Sequence, residues 1–255
     1  MIRVVRQGAE SGRFAGLAEI VLDRADKRNA LTPEMIRQIV THAETLDHDD
    51  SAKAIVLRGE GRVFCAGFDL AMCQDDDGVL KALLRELSLA IVALKSVSKP
   101  VVIAAHGAAI AGACALLTAG DLVVTDLRAK LGYPVVPLGI SPAVTGPTLV
   151  GRVGLRATRQ LLLDPALITG EEARRIGLVD LCVDIPEDVT PRAQIEAMKL
   201  ADKPRWAFGA TKRWVNEIES AGLDDDAMNR ALDASLSLVG SDEQHERMKR
   251  FLGAE

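Results

Sequence analysis

Two short stretches bring together residue types suited to stabilising a negative charge: FCAGFDL, residues 64–70, and HGAAIAGAC, residues 106–114. Each pairs a small-residue turn with the start of a helix. Small residues let a ligand approach the backbone, and the first turn of a helix leaves N–H groups unpaired. Two such N–H groups aimed at one point make an oxyanion hole. Small-residue turns also arise simply because helices pack closely on sheets, so spacing alone leaves both readings open.

A third stretch, GYPVVPLGIS at 132–141, has two glycines, two prolines and a run of apolar residues, but no Asp, Glu or His. Its turn chemistry marks a loop, and its apolar content buries part of it. Its polar candidates, with one residue just beyond it, are Tyr133, Ser141 and Thr145. Tyr133 is the only tyrosine in the chain. Its phenol is either a proton donor to a developing enolate or a rim residue with a solvated hydroxyl. Ser141 and Thr145 read as turn and cap residues. Asp69 reads as a helix-start carboxylate at the first loop. His106 sits at a strand end and reads as core, and Cys114 as a buried, inert thiol.

The elements around these loops alternate. LAEIVL (17–22) reads as a strand, and Thr32-Pro33 starts a helix with Thr as N-cap and Pro at the first helical position. Ile36, Ile39, Val40 and Ala43 continue that helix at a 3.6 period. AKAIVLRG (52–59) is a buried strand, 79–97 an amphipathic helix, and KPVVIAAHG a second buried strand with its Pro at the edge. Gly112 to Ala119 is a short helix and DLVVTD (121–126) a third strand. TGEEARRIG (169–177) carries a capping box, Thr169 with Glu172, and LVDLCVD follows as a strand. After Pro191 the pattern is helical. The order implies an α/β core, residues 1–190, with a helical C-terminal region, residues 191–255.

Composition limits the function classes. The chain has 255 residues, 48% of them hydrophobic, and a net charge of −5, so it presents no basic field for nucleic acid. The N-terminus, MIRVVRQGAESG, reads as an edge strand entering a turn, with no apolar secretory region. The four cysteines form no C-x-x-C pair and read as free thiols of a cytoplasmic protein. The four histidines have no ligand spacing, so no metal is expected. Residues 101–120 are long and apolar enough to raise a membrane span, but Pro100, His106 and glycines at 107, 112 and 120 favour a buried strand, turn and helix.

The blocks DRADKRNALT, AKAIVLRGEGRVFCAGFDL, KPVVIAAHGAAIAGACALL, GDLVVTD, LGYPVVPLGISP, LITGEEARRIGLVD and PRWAFGATKRW run in order from about Leu17. In this the chain resembles the enoyl-CoA hydratase/isomerase, or crotonase, superfamily. The resemblance implies an α/β spiral of ββα units with a helical C-terminal trimerisation region. It implies an acyl-CoA thioester as ligand, with coenzyme A part of the substrate and no separate bound cofactor. It implies a homotrimer or a dimer of trimers, and no membrane partner. The thioester carbonyl would be held by the backbone N–H groups of Phe68 and Gly112. Phe68 stands where the family often has Ala, so its ring would narrow the acyl site. The nucleotide would lie against Arg28 to Ala30 and against Ala66, Asp69 and Leu70. Without the resemblance, Lys27 and Arg28 read as a solvated turn. Phe251 matches a C-terminal aromatic at the adenine end, although the sequence closes on FLGAE without the family's basic tail.

The resemblance also marks what is different. Hydratases of the family use two glutamates to handle water and a proton. The matching positions here are Ala115 and Val135, which carry no protons. The implied function is therefore an enolate-stabilising lyase or isomerase rather than a standard hydratase. The alternative is a non-catalytic acyl-CoA-binding or regulatory subunit.

Overall fold

All six residues of LAEIVL are buried, as expected of a strand covered on both faces. In the computed structural model, which describes residues 1–74, 76–220 and 226–253, this strand lies inside a six-stranded sheet. The chain runs β1 (Ile2–Arg6), β2 (Leu17–Leu22), α1 (Pro33–His48), β3 (Ala54–Gly59) and α2 (Asp77–Ser96). Then come β4 (Val101–Ala104), β5 (Ala108–Ile110), α3 (Gly112–Leu117), β6 (Leu122–Asp126), β7 (Lys130–Gly132) and α4 (Gly146–Leu163). The last part is β8 (Ile168–Thr169), α5 (Gly170–Arg175), β9 (Leu181–Val183), α6 (Val189–Ala201), α7 (Arg205–Ser220), α8 (Ala227–Leu236) and α9 (Asp242–Leu252).

The large sheet has the order β1-β2-β3-β4-β6-β9, parallel except for β1 at the edge. A second layer contains β5, β7 and β8. Two isolated bridges extend it: Leu31 with Phe68, and Cys65 with Ala109. Each turn of the chain therefore repeats one path. A strand of the large sheet leads to a short extended piece of the second layer and then to a helix. The pieces are Leu31, residues 65–68, β5 and β7, stacked in that order. This is the expected α/β spiral.

Local chemistry fixes the ends. The Thr32 hydroxyl accepts from Met35 N–H, and Pro33 opens α1. Asp76 caps α2, and the Thr169–Glu172 capping box is complete. Residues 101–120 form β4, β5 and α3, and no helix among the described residues is long and apolar enough to cross a membrane.

The C-terminal region needs two corrections. Helix α6 opens at Val189 and buries Val189, Ala193 and Ala197 against Leu17, Val56, Val102 and Val124. It is a layer of the core, so the expected boundary at 190 falls inside a core element. The apolar residues of 226–240, at helical spacing, imply an exposed apolar face. Helix α8 instead packs on α2 and on residues 143–145, where the buried Ser235 hydroxyl accepts from Val144 N–H at 2.8 Å. The exposed apolar face belongs to α7, with Trp206 84% and Trp214 62% exposed beside Val215 and Ile218. Ala254 and Glu255 of the closing FLGAE lie outside the described residues.

Candidate active site

The stacked turns of the spiral end at one place. Residues 66–70 follow the second turn, Ala111, Gly112 and Ala115 the third, and Tyr133 to Val135 the fourth. All of these except Asp69 line a cavity of about 200 Å³. Leu84 and Leu87 of α2 and Leu138, Ile140 and Val144 of the following loop complete its apolar walls. Phe251 of α9 closes one side.

The N–H groups of Phe68 and Gly112 have no acceptor among the described residues, although their neighbours do. Asp69 N–H donates to Leu31 O at 2.9 Å, and Ala111 N–H to Gly132 O at 2.8 Å. Those bonds pin the chain on either side of the two free donors. Gly112 is the first residue of α3, where an N–H has no partner inside the helix. The preceding Ala111 has φ 50° and ψ −113°, a conformation that side chains disfavour and that costs on the order of 1–3 kcal/mol. Backbone strain of this kind is retained where the surrounding structure over-determines it, often at functional sites.

Gly112 also has a steric reason to be glycine. A Cβ built there would lie 2.6 Å from Cε1 of Phe68. The Phe68 ring thus packs against the Gly112 backbone and narrows the cavity beside both donors, as its size implied. At Gly67, φ is +97° and an added Cβ would meet Ile110 O at 2.9 Å, so the second and third turns approach too closely for a side chain.

Among the expected site residues, Phe68, Gly112, Tyr133, Ala66, Leu70 and Phe251 meet on this cavity, and so do Ala115 and Val135. Arg28, Ala30 and Asp69 do not line it. They lie alongside: Ala66 N–H donates to Arg28 O at 2.9 Å, and Leu31 N–H to Gly67 O at 2.7 Å. The loop of Arg28 and Ala30 is therefore a rim next to the 66–70 segment.

Three readings of side chains are corrected. Tyr133 is no solvated rim residue; it is 1% exposed, because β7 carries it into the second layer. Burial, with the neighbouring Cys114 thiol, holds its phenol well above the usual tyrosine range, so it stays protonated. Asp69 stands before the turn 70–73 but caps nothing; its carboxylate pairs instead with Arg24 at 2.7 Å. Thr145 precedes α4 without a side-chain cap, and its hydroxyl faces that of Tyr133. The others stand as read. Ser141 accepts from Ala143 N–H in a turn, His106 is buried, and burial pushes the Cys114 thiol up to about 12.

Asn29 escaped the sequence reading. It is fully buried with φ 56°, and its Nδ2 donates to the carbonyls of Glu60, Val63 and Phe64 at 2.8–3.0 Å. Its Oδ1 accepts from Arg24 N–H at 2.9 Å. One side chain thereby ties the Arg28–Ala30 rim to the loop that leads to Phe68. The signal was its type: Asn tolerates the left-handed conformation of a tight turn. Asn29→Ala strands several buried carbonyls, and it is expected to lower stability by about 2–4 kcal/mol. Urea unfolding checks this, and an unchanged midpoint would remove the clamp role.

Residues 12–253 match the enoyl-CoA hydratase/isomerase family. The chain is 30% identical over 239 residues to a crotonyl-CoA hydratase of Syntrophomonas wolfei, covering 92% of this chain and 91% of that one. It is 29% identical over 215 residues to a 1,2-epoxyphenylacetyl-CoA isomerase of Escherichia coli, covering 82% of each. An enoyl-CoA hydratase/isomerase crystal structure from Xanthobacter autotrophicus superposes with a TM-score of 0.85 at 25% identity, over 98% of this chain and 93% of that one. The chain belongs to the enoyl-CoA hydratase/isomerase family.

Proposed function

We propose that the protein binds an acyl-CoA thioester and holds its carbonyl oxygen between the N–H groups of Phe68 and Gly112. The observation that carries this reading is two unpartnered backbone donors from stacked turns, both at the edge of one apolar cavity. Donors fixed in advance stabilise the negative charge that develops on the oxygen as an enolate forms. The coenzyme A nucleotide would run outside the cavity, along Arg28, Ala30, Ala66, Asp69 and Leu70. Phe251 lines the cavity itself, so it would meet the acyl end of the ligand rather than the adenine end the resemblance implied.

On the family resemblance, Ala115 and Val135 stand where hydratases would carry two glutamates. Neither residue transfers a proton, so hydration lacks both its acid and its base. Decarboxylation, C–C cleavage or isomerisation asks less of side chains. In a decarboxylation, for example, the electrons of the breaking C–C bond flow into the enolate, and the substrate supplies the push. Tyr133, neutral and buried in the wall, is positioned to return a proton. Relatives of similar identity named as a hydratase and as an isomerase show that the family supports more than one reaction on this fold. A second reading, a non-catalytic acyl-CoA-binding subunit, is favoured by one fact: no carboxylate, imidazole or amine lines the cavity among the described residues. Turnover of a panel of CoA thioesters, run beside direct binding, separates the two. Binding without turnover selects the subunit, and no binding of any thioester sinks both.

Assembly is part of the proposal. Trp214, Val215 and Ile218 are exposed on neighbouring positions of α7, with Trp206 exposed two turns earlier, and exposed apolar patches of this kind are normally covered. A homotrimer or a dimer of trimers is expected by light scattering. Trp206→Glu with Trp214→Glu should shift the population towards monomer, if this face is the contact. A parent that is monomeric at micromolar concentration would count against the assembly.

A further inference from the structure

The cavity is apolar except for a few hydroxyls, and two of these face each other. Tyr133 and Thr145, each 1% exposed, both line it, with their hydroxyl oxygens 3.4 Å apart. An O–H···O bond is usually about 2.7–2.8 Å, so this contact is weak. The Thr145 hydroxyl has no other partner among the described residues. The phenol also meets the Cys114 thiol, a soft partner that does not line the cavity. Each of these groups carries one proton and also accepts. A row of three such groups leaves one proton unused at one end and lone pairs unused at the other. Thr145 is the end that reaches the cavity. The third lining hydroxyl, Ser141, accepts from its own turn.

We propose that Tyr133 and Thr145 form a two-hydroxyl subsite that binds an oxygen carried on the acyl group. The protein would then select acyl-CoA thioesters with a carbonyl or hydroxyl on the chain over plain hydrocarbon ones. This deepens the acyl-CoA reading and rests on it. A carbonyl accepts the proton when the row leaves it at Thr145, and a hydroxyl can either accept that proton or, with the row reversed, donate to the Thr145 oxygen. A carboxylate is disfavoured, because no Lys, Arg or His among the described residues lines the cavity to pair with it. The phenol, kept neutral by burial, remains a donor across the ordinary pH range. A satisfied buried hydroxyl is worth about tenfold in affinity.

Calorimetry with four probes tests this: free coenzyme A, hexanoyl-CoA, 3-hydroxyhexanoyl-CoA and 5-oxohexanoyl-CoA. The last two place the oxygen at different depths. For the parent, at least one oxygenated thioester should bind about tenfold more tightly than hexanoyl-CoA. Tyr133→Phe and Thr145→Val should each remove most of that advantage while keeping the affinity for free coenzyme A, which also reports an intact fold. Equal binding of hexanoyl-CoA and both oxygenated probes overturns the subsite and leaves a trapped water as its occupant. An advantage that survives in both variants overturns it too. If free coenzyme A binds as well as every thioester, or nothing binds, the acyl-CoA reading itself fails and the subsite falls with it.

Discussion

Gly112→Pro is expected to weaken acyl-CoA binding and to lower any turnover by about 10²–10³-fold, the usual effect of deleting one oxyanion donor. Gly112 is the first residue of α3, a position where proline is compatible with the helix, but Ala111 before it has φ 50° and ψ −113°, outside the extended region a residue before proline prefers, so the change also strains the turn. Proline also adds a Cβ, and any Cβ at 112 meets the Phe68 ring at 2.6 Å. Gly112→Ala is therefore the steric control: it keeps the donor and adds only the clash. In a Phe68→Ala background the clash is gone, while the N–H of residue 68 remains. There the alanine at 112 should recover binding and the proline should not. Circular dichroism and oligomer size must match the parent in every variant. If the proline and alanine variants behave alike in that background, the thioester is not held by this N–H.

That design depends on a contact the sequence did not disclose. FCAGFDL and HGAAIAGAC were legible as small-residue turns at helix starts because those are local properties, while only the family resemblance read them as donor loops. LAEIVL, the Thr32 cap and the Thr169–Glu172 box were legible for the same reason. What local pattern cannot supply is how successive turns stack. Stacking puts the Phe68 ring on Gly112 and turns Tyr133 inward instead of to the rim. It also gives Asp69 to Arg24, from a turn 45 residues earlier. Thr145 looks like a cap because Thr before a helix usually is one. Its hydroxyl instead faces that of Tyr133, twelve residues earlier in the same turn of the spiral. Asn29 was hidden by the charged residues around it, which make DRADKRN look like an ordinary solvated turn. Helix α6 was assigned to the appendage because the helical pattern runs unbroken past Pro191, although its small face, Ala193 and Ala197, is what lets it lie close on the sheet.

Hydration of crotonyl-CoA is expected to be negligible. Ala115 is 1% exposed, Val135 is half-buried, and both line the cavity whose edge carries the two free donors. By the family resemblance these are the positions at which hydratases carry their two glutamates. Each missing acid or base typically costs on the order of 10²–10⁴-fold in rate. Tyr133 does not replace them for this reaction. Its phenol is held well above the usual range, so it can give a proton but cannot serve as the base that activates water near neutral pH. Thr145, Ser141 and Cys114 are no better, since hydroxyls are far weaker bases than a carboxylate and burial keeps the thiol protonated. Retained donors without a base should therefore give tight crotonyl-CoA binding with no water addition. Absorbance of the conjugated thioester checks the rate, and calorimetry checks the binding. A kcat/KM of about 10⁴ M⁻¹ s⁻¹ or more, within the ordinary enzymatic range, would mean that a proton carrier reaches this cavity from outside the wall described here.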